Sequence, residues 1–181
     1  MVLLETGMRI GELSGLTFKD VDLKNRLVHI THQVQCREKE LYIAKTKTNS
    51  GTRSIPLSDK ACQAFQNIIK NREILKTEPM LNGYVGFLFV SENGQIQHGG
   101  IHGHHINTLA NRYNAAHPDA PLRITPHVFR HTFCTRMVYA GMDIKSLQYI
   151  MGHKNPNMIL KVYAHVDKER SIEAMRSIIA Q

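Results

Sequence analysis

The sequence predicts an α+β fold: a mostly helical domain with a small three-stranded antiparallel sheet near its N-terminus. Three observations predict it. Apolar residues alternate along 27–34, two further short strand-like runs follow across polar turns, and helical spacing dominates after Ser58.

The elements follow in order. Residues 1–7 read as the last turns of an apolar helix ending at Gly7. An opening of that kind predicts a piece of a longer protein. A helix restarts at Met8-Arg9-Ile10-Gly11-Glu12-Leu13 and runs to about Leu16. Val28, Ile30 and Val34 share one side of a half-buried strand over 27–34. Residues 41–44 make a second strand and 53–57 a third. The turn between those two carries Lys47-Thr48-Asn49-Ser50-Gly51, so the three strands are expected to form a meander. Ser58 suits an N-cap, and Ala61, Phe65, Ile68, Ile69 and Leu75 mark an amphipathic helix ending before Pro79. Residues 81–105 are glycine-rich and read as loop, apart from a short apolar run at 87–90. Helical spacing then returns over 106–116, 126–140, 144–151, 156–163 and 168–179, punctuated by Gly141, Gly152 and Pro156.

A chain of 181 residues, 42% hydrophobic and 21% charged, is enough for one domain with a sizeable core. Lys and Arg outnumber Asp and Glu by 23 to 15, a formal charge of +8. Such a surplus serves either a solubilising surface or a polyanionic partner, most simply nucleic acid. No apolar run is long enough to span a membrane as a helix, and no signal-peptide pattern opens the chain. Cys36, Cys62 and Cys134 are odd in number and lack CxxC spacing, as expected of reduced thiols in a cytoplasmic protein.

Several residues invite a chemical reading beside a plainer one. In Thr125-Pro126-His127-Val128-Phe129-Arg130-His131, Thr125 suits a helix cap and Pro126 the first turn. His127 and Arg130, three apart, share a helix face near an N-terminus, where they are either a phosphate site or two solvated polar residues. Gly152-His153 stands at a helix exit, where a histidine is more often structural. Tyr163 at helical spacing is more often core filler. Arg9 starts a helix and Lys47 lies on a hairpin, both ordinary surface positions. Their joint occurrence in this order is the informative feature.

These residues resemble the tyrosine recombinase (phage integrase) family. The matching segments are Thr6-Gly-Met-Arg9-Ile-Gly-Glu-Leu, Lys47-Thr-Asn-Ser50-Gly-Thr-Arg53-Ser-Ile-Pro-Leu57, His127-Val-Phe-Arg130-His, Gly152-His153-Lys-Asn-Pro, and Tyr163 ten residues after His153. The hairpin looks most like integrases of conjugative transposons and temperate phages. The resemblance implies that Arg9, Lys47, His127, Arg130, His153 and Tyr163 are catalytic, with Tyr163 the nucleophile; Lys47 fits the family spacing better than Lys45. It implies a catalytic domain over 1–181, without the core- and arm-binding domains that precede it in full-length members. The implied function is site-specific integration and excision of a mobile element through a 3′-phosphotyrosine intermediate, without metal, ATP or other cofactor. Double-stranded DNA with attachment or core sites, a homotetramer on DNA and a directionality factor are the implied partners. A catalytically inert DNA-binding module and a DNA-relaxing enzyme resembling type IB topoisomerases are the competing readings.

Two features stand outside this pattern. His98, His102, His104 and His105 crowd among glycines, where a cap from His104 or His105 to the next helix is favoured over a metal site. Ile172, Met175, Ile178 and Ile179 form an apolar stripe over 168–179, which either packs on its own domain or, as the family resemblance implies, docks on a neighbouring protomer in a tetramer.

Overall fold

The computed structural model describes residues 1–45, 51–72, 75–152 and 156–179. The first helix, α1 (Val2–Thr6), stops at Gly7, whose φ of 62° is left-handed. A Cβ there would lie 2.3 Å from the Phe133 ring, so both the turn and the packing require glycine. Helix α2 (Ile10–Gly15) follows, then a single 3-10 turn and strands β1 (Val21–Asp22), β2 (Leu27–Ile30), β3 (His32–Arg37), β4 (Glu40–Lys45) and β5 (Arg53–Pro56). The remaining helices are α3 (Asp59–Asn71), α4 (Gly99–Ala116), α5 (Pro126–Tyr139), α6 (Ile144–Met151) and α7 (Asn157–Ile179). The domain is mostly helical with an antiparallel three-stranded sheet toward its front, as the sequence predicts.

The strand assignment needs correction. Residues 27–34 are not one strand of a meander. The chain breaks at Thr31 and feeds two sheets: β1-β2-β5 on one side and the β3–β4 hairpin on the other. Alternation gave no warning, because Val28, Ile30, His32 and Val34 are all buried straight through the break. The burial period survives while the hydrogen-bonding partner changes, and sequence periodicity reports only the former. In β2, Val28 lies opposite Ile55 and both face the main core. Val34 belongs instead to a small cluster with Phe87 and Ile96. The 87–90 run lies in a loop pinned back onto the end of α2, with Leu88 N–H donating to the Leu16 carbonyl at 2.9 Å.

Three helix boundaries also differ. Ser58 does cap α3, accepting from the Ala61 N–H at 3.2 Å, but that helix ends at Asn71 and excludes Leu75. Helix α4 begins at Gly99, well before residue 106, because His98 itself supplies the cap: its Nδ1 accepts from Gly100 N–H. Neither His104 nor His105 does so. The two C-terminal pieces are one helix, Asn157–Ile179, uninterrupted by any Gly or Pro. Thr125 and Pro126 start α5 as expected, the Thr125 hydroxyl accepting from Val128 N–H at 3.2 Å.

Two larger apolar clusters hold the domain. One joins α1, α2, β2, β5 and α3 around Met8, Ile30, Ile55 and Phe65. The other joins α5, α6 and α7 around Phe133, Leu147, Met151 and Ile159. Ile150 touches both, which places the end of α6 at the seam between them.

Candidate active site

The C-terminal end of α6 is where the candidate residues converge. A helix end leaves its last carbonyls unpaired and slightly negative. Here three consecutive carbonyls each accept from a different arginine. Arg53 Nε donates to Ile150 O at 2.7 Å, Arg130 Nη2 to Met151 O, and Arg9 Nη2 to Gly152 O at 2.9 Å. Gly152, with φ of 60°, turns the chain there. A Cβ on it would come within 2.6 Å of Arg53 Nη1, so the arginine occupies the space that a side chain would need.

Each arginine arrives from a different element. Arg9 is the N-cap residue of α2, and Glu12 stands at the third position of that helix. Glu12 Oε2 accepts from the Arg9 backbone N–H at 2.7 Å and Oε1 from Arg9 Nη1 at 2.9 Å. From β5, Arg53 grips the same carboxylate with two parallel bonds, Nη1 to Oε1 at 3.0 Å and Nη2 to Oε2 at 2.8 Å. Its Nη1 also donates to Gly51 O at 3.2 Å. From α5, Arg130 donates Nη1 to Gly7 O at 2.6 Å, tying the turn after α1 to the end of α6.

The electrostatics follow. Two guanidinium groups bond one carboxylate and the third, Arg130, meets the same helix end, a net charge of +2 for these four side chains. Burial alone would raise the Glu12 carboxyl, but Arg53's hydrogen bonds and charge, reinforced by Arg9, hold it below the usual carboxylate range. Burial, followed by the charge of Arg9, pulls Arg130 down to about 9, which still leaves it charged at neutral pH. Side-chain exposure separates the ion-paired members: Arg53 shows 0% and Glu12 3%, whereas Arg9 shows 39%. A guanidinium has five N–H donors, so Arg9 and Arg130 each keep donors beyond the two bonds described.

The structure thus brings Arg9 and Arg130 together. His127 lies one turn before Arg130 in the first turn of α5 and is exposed, so the two share a helix face but not an environment. Tyr163 sits on α7, which packs against α5; its ring is half-buried against the second cluster and its hydroxyl oxygen is screened from solvent. Lys47 and His153 lie outside the described residues, as does the side chain of Lys45. Glu12 and Arg53 fall inside the sequence segments quoted above, but sequence reasoning assigned them no role. The signal for Glu12 was its place three residues after a helix-starting position. For Arg53 no local signal existed, since the Glu12 carboxylate and the Ile150 carbonyl that it binds lie 41 and 97 residues away.

Two of the four histidines serve structure. His98 caps α4, and His102 meets the Phe89 ring edge-on with centroids 5.1 Å apart. Burial, then the neighbouring His105, pushes His102 down to about 4. Among the described residues no three His, Cys, Asp or Glu side chains are placed to share a metal ion, and no helix is long and apolar enough to cross a membrane. The stripe on the last turns of α7 is exposed: Ile172 by 45%, Met175 by 58%, Ile178 by 66% and Ile179 by 72%.

The sequence profile of the phage integrase family matches residues 1–170. The transposase of transposon Tn916 from Enterococcus faecalis is 41% identical over 180 residues, covering 98% of this chain and 44% of that protein. The integrase of Staphylococcus phage L54a is 29% identical over 174 residues, covering 93% of this chain and 47% of that protein. The integrase of transposon Tn1549, solved in complex with transposon right end DNA, superimposes with a TM-score of 0.83 at 43% identity, over 93% of this chain and 56% of that one. The chain therefore spans about half the length of the relatives it matches. A transposon and a phage as sources agree with the likeness seen in the hairpin residues.

Proposed function

The chain belongs to the phage integrase family, and from that premise we propose that residues 1–181 are the catalytic domain of a site-specific recombinase that cleaves and rejoins DNA strands. The observation that carries this reading is the convergence of Arg9 and Arg130 on adjacent carbonyls, each with guanidinium donors to spare and with excess positive charge around them. A phosphodiester gains negative charge on its non-bridging oxygens as a nucleophile attacks. Two guanidinium groups match that need by geometry and charge, and each such donor is commonly worth about 3 kcal/mol in a transition state.

In this reaction the Tyr163 oxygen attacks phosphorus, the bond to the 5′ oxygen breaks, and a 3′-phosphotyrosine forms. The tyrosine proton passes to His127, and Lys47 protonates the departing 5′ oxygen. His153 adds a hydrogen bond to a non-bridging oxygen. Rejoining reverses the steps, with a 5′ hydroxyl attacking the phosphotyrosine, so the ester's bond energy is kept and neither ATP nor metal is called for. Free tyrosine has a pKa of about 10, and nearby positive charge favours its ionised form.

The substrate is double-stranded DNA at attachment sites of a mobile element, in the bacterial cytoplasm. The basic surplus then supplies salt-dependent affinity for the phosphate backbone. The full-length protein works as a tetramer on DNA, and the exposed stripe of α7 docks on a neighbouring protomer; a directionality factor can bias the outcome. The test uses a nicked suicide substrate bearing the candidate site and the full-length protein. A covalent protein–DNA adduct should form in excess EDTA and vanish in Tyr163→Phe. An adduct that survives that substitution removes Tyr163 as the nucleophile, and abolition by EDTA overturns the metal-free mechanism.

A further inference from the structure

We infer that Arg53 is a positioning residue that keeps the charge of Arg9 available to an anionic ligand by acting as the counter-ion of Glu12. The inference rests on the catalytic reading of Arg9 given above. Glu12 lies within hydrogen-bond reach of two arginines, and one carboxylate carries only one negative charge. Arg53, wholly buried and bonded to both carboxylate oxygens, is the better partner by geometry and by desolvation. Arg9 donates one side-chain bond to the same carboxylate and remains open to solvent.

Without Arg53, the buried carboxylate would retain Arg9 as its only close counter-ion. Glu12 would then neutralise the arginine meant for a phosphate oxygen, and the knot would fall from a net charge of +2 to +1. Arg53 is itself held from three sides, by Glu12, by the Ile150 carbonyl and by the Gly51 carbonyl. It cannot leave the carboxylate without vacating two further bonds. The packing of Gly152 against it closes the remaining side. Arg53 therefore touches no reacting atom, yet it determines how much positive charge Arg9 presents.

The charge argument and a purely architectural role predict opposite outcomes for a paired substitution. The full-length protein is assayed for single-turnover cleavage of the nicked substrate over a range of protein concentrations, the maximal rate and half-saturation concentration standing for kcat and KM, with thermal melting followed in parallel. R53Q should cleave at least tenfold more slowly with KM changed less than about threefold, because the lost interaction is made mainly in the transition state. Adding E12Q removes the carboxylate that captures Arg9, so R53Q/E12Q should recover at least fivefold over R53Q. An architectural role predicts that the double variant is as slow as R53Q or slower, and that result overturns the inference.

R53K keeps the charge while losing the two-pronged grip, and should cleave within fivefold of the natural protein. Should R53Q lose its cooperative melting transition, R53K decides alone: a folded R53K more than fivefold slower overturns the inference. Arg9→Ala separates the two levels of argument. If it leaves cleavage unchanged, the catalytic reading fails, and the Arg53 result no longer bears on catalysis.

Discussion

The arginine knot and the tail of α7 are opposite ways of ending a helix. At the end of α6 three terminal carbonyls are met by guanidinium groups from the cap of α2, from β5 and from α5, so chain segments up to 143 residues apart close on one another. At the end of α7 four apolar side chains project into solvent. The knot is complete within one chain. The tail presents a surface that a single chain leaves uncovered, which is what an apolar stripe reserved for another protomer would look like. The proposed catalytic geometry would then be built in cis, and the proposed assembly would fall to a stripe that its own chain leaves exposed.

Breaking the knot should have the largest effects. Arg130→Ala removes donors from Gly7 O and Met151 O and a proposed phosphate ligand at once. Cleavage should fall by at least about a hundredfold, since one donor of this kind is commonly worth roughly 3 kcal/mol. Single-turnover adduct formation measures it. Glu12→Ala should come next, lowering stability by about 3–5 kcal/mol, because Arg53 is left buried without a counter-ion. Urea unfolding checks this value.

Acid should separate the two regions more finely. Glu12 is held below its ordinary value of 4.5 in the folded state, so the stability it contributes is present above that value and lost as pH falls through the folded pKa. His102 behaves in the same direction for a different reason. Its folded value is about 4 against 6.5, so the unfolded chain binds its proton first and stability declines from about pH 6.5 down to 4. Melting followed against pH should therefore flatten below 4.5 in Glu12→Gln, and between 6.5 and 4 in His102→Phe. Tail variants should retain the full profile.

The smallest effect on the single chain is expected at the tail. Ile172→Asp and Ile178→Asp should change unfolding free energy by no more than about 0.5 kcal/mol, as exposed substitutions usually do. In the full-length protein on DNA the same changes should reduce the tetramer seen by sedimentation. Unchanged assembly would show that the stripe is not the docking surface and would weaken the contrast between the two helix ends.

Legibility in the sequence followed the range of the interaction. The Ser58 and Thr125 caps, the Gly7 stop and the helical start at Pro126 were readable because they depend on neighbours within a few residues. The break at Thr31 was not readable, since the apolar alternation runs through it unbroken. The His98 cap was missed for a different reason: two glycines after it argue against a helix start, and the turn forms because His98 accepts from Gly100. Arg130 was marked by its spacing to His127 and Arg9 only by the family resemblance of its segment, yet nothing local indicated that they share one helix end.

By itself the sequence determined the fold class, the family and the identity of the candidate residues, because these depend on residue type, order and short-range periodicity. Only the tertiary structure decided which arginine faces solvent and which is spent on Glu12. Arg9 and Arg53 are chemically identical, and their roles differ through burial and through carbonyls supplied from the far end of the chain. Linear order carries no record of either.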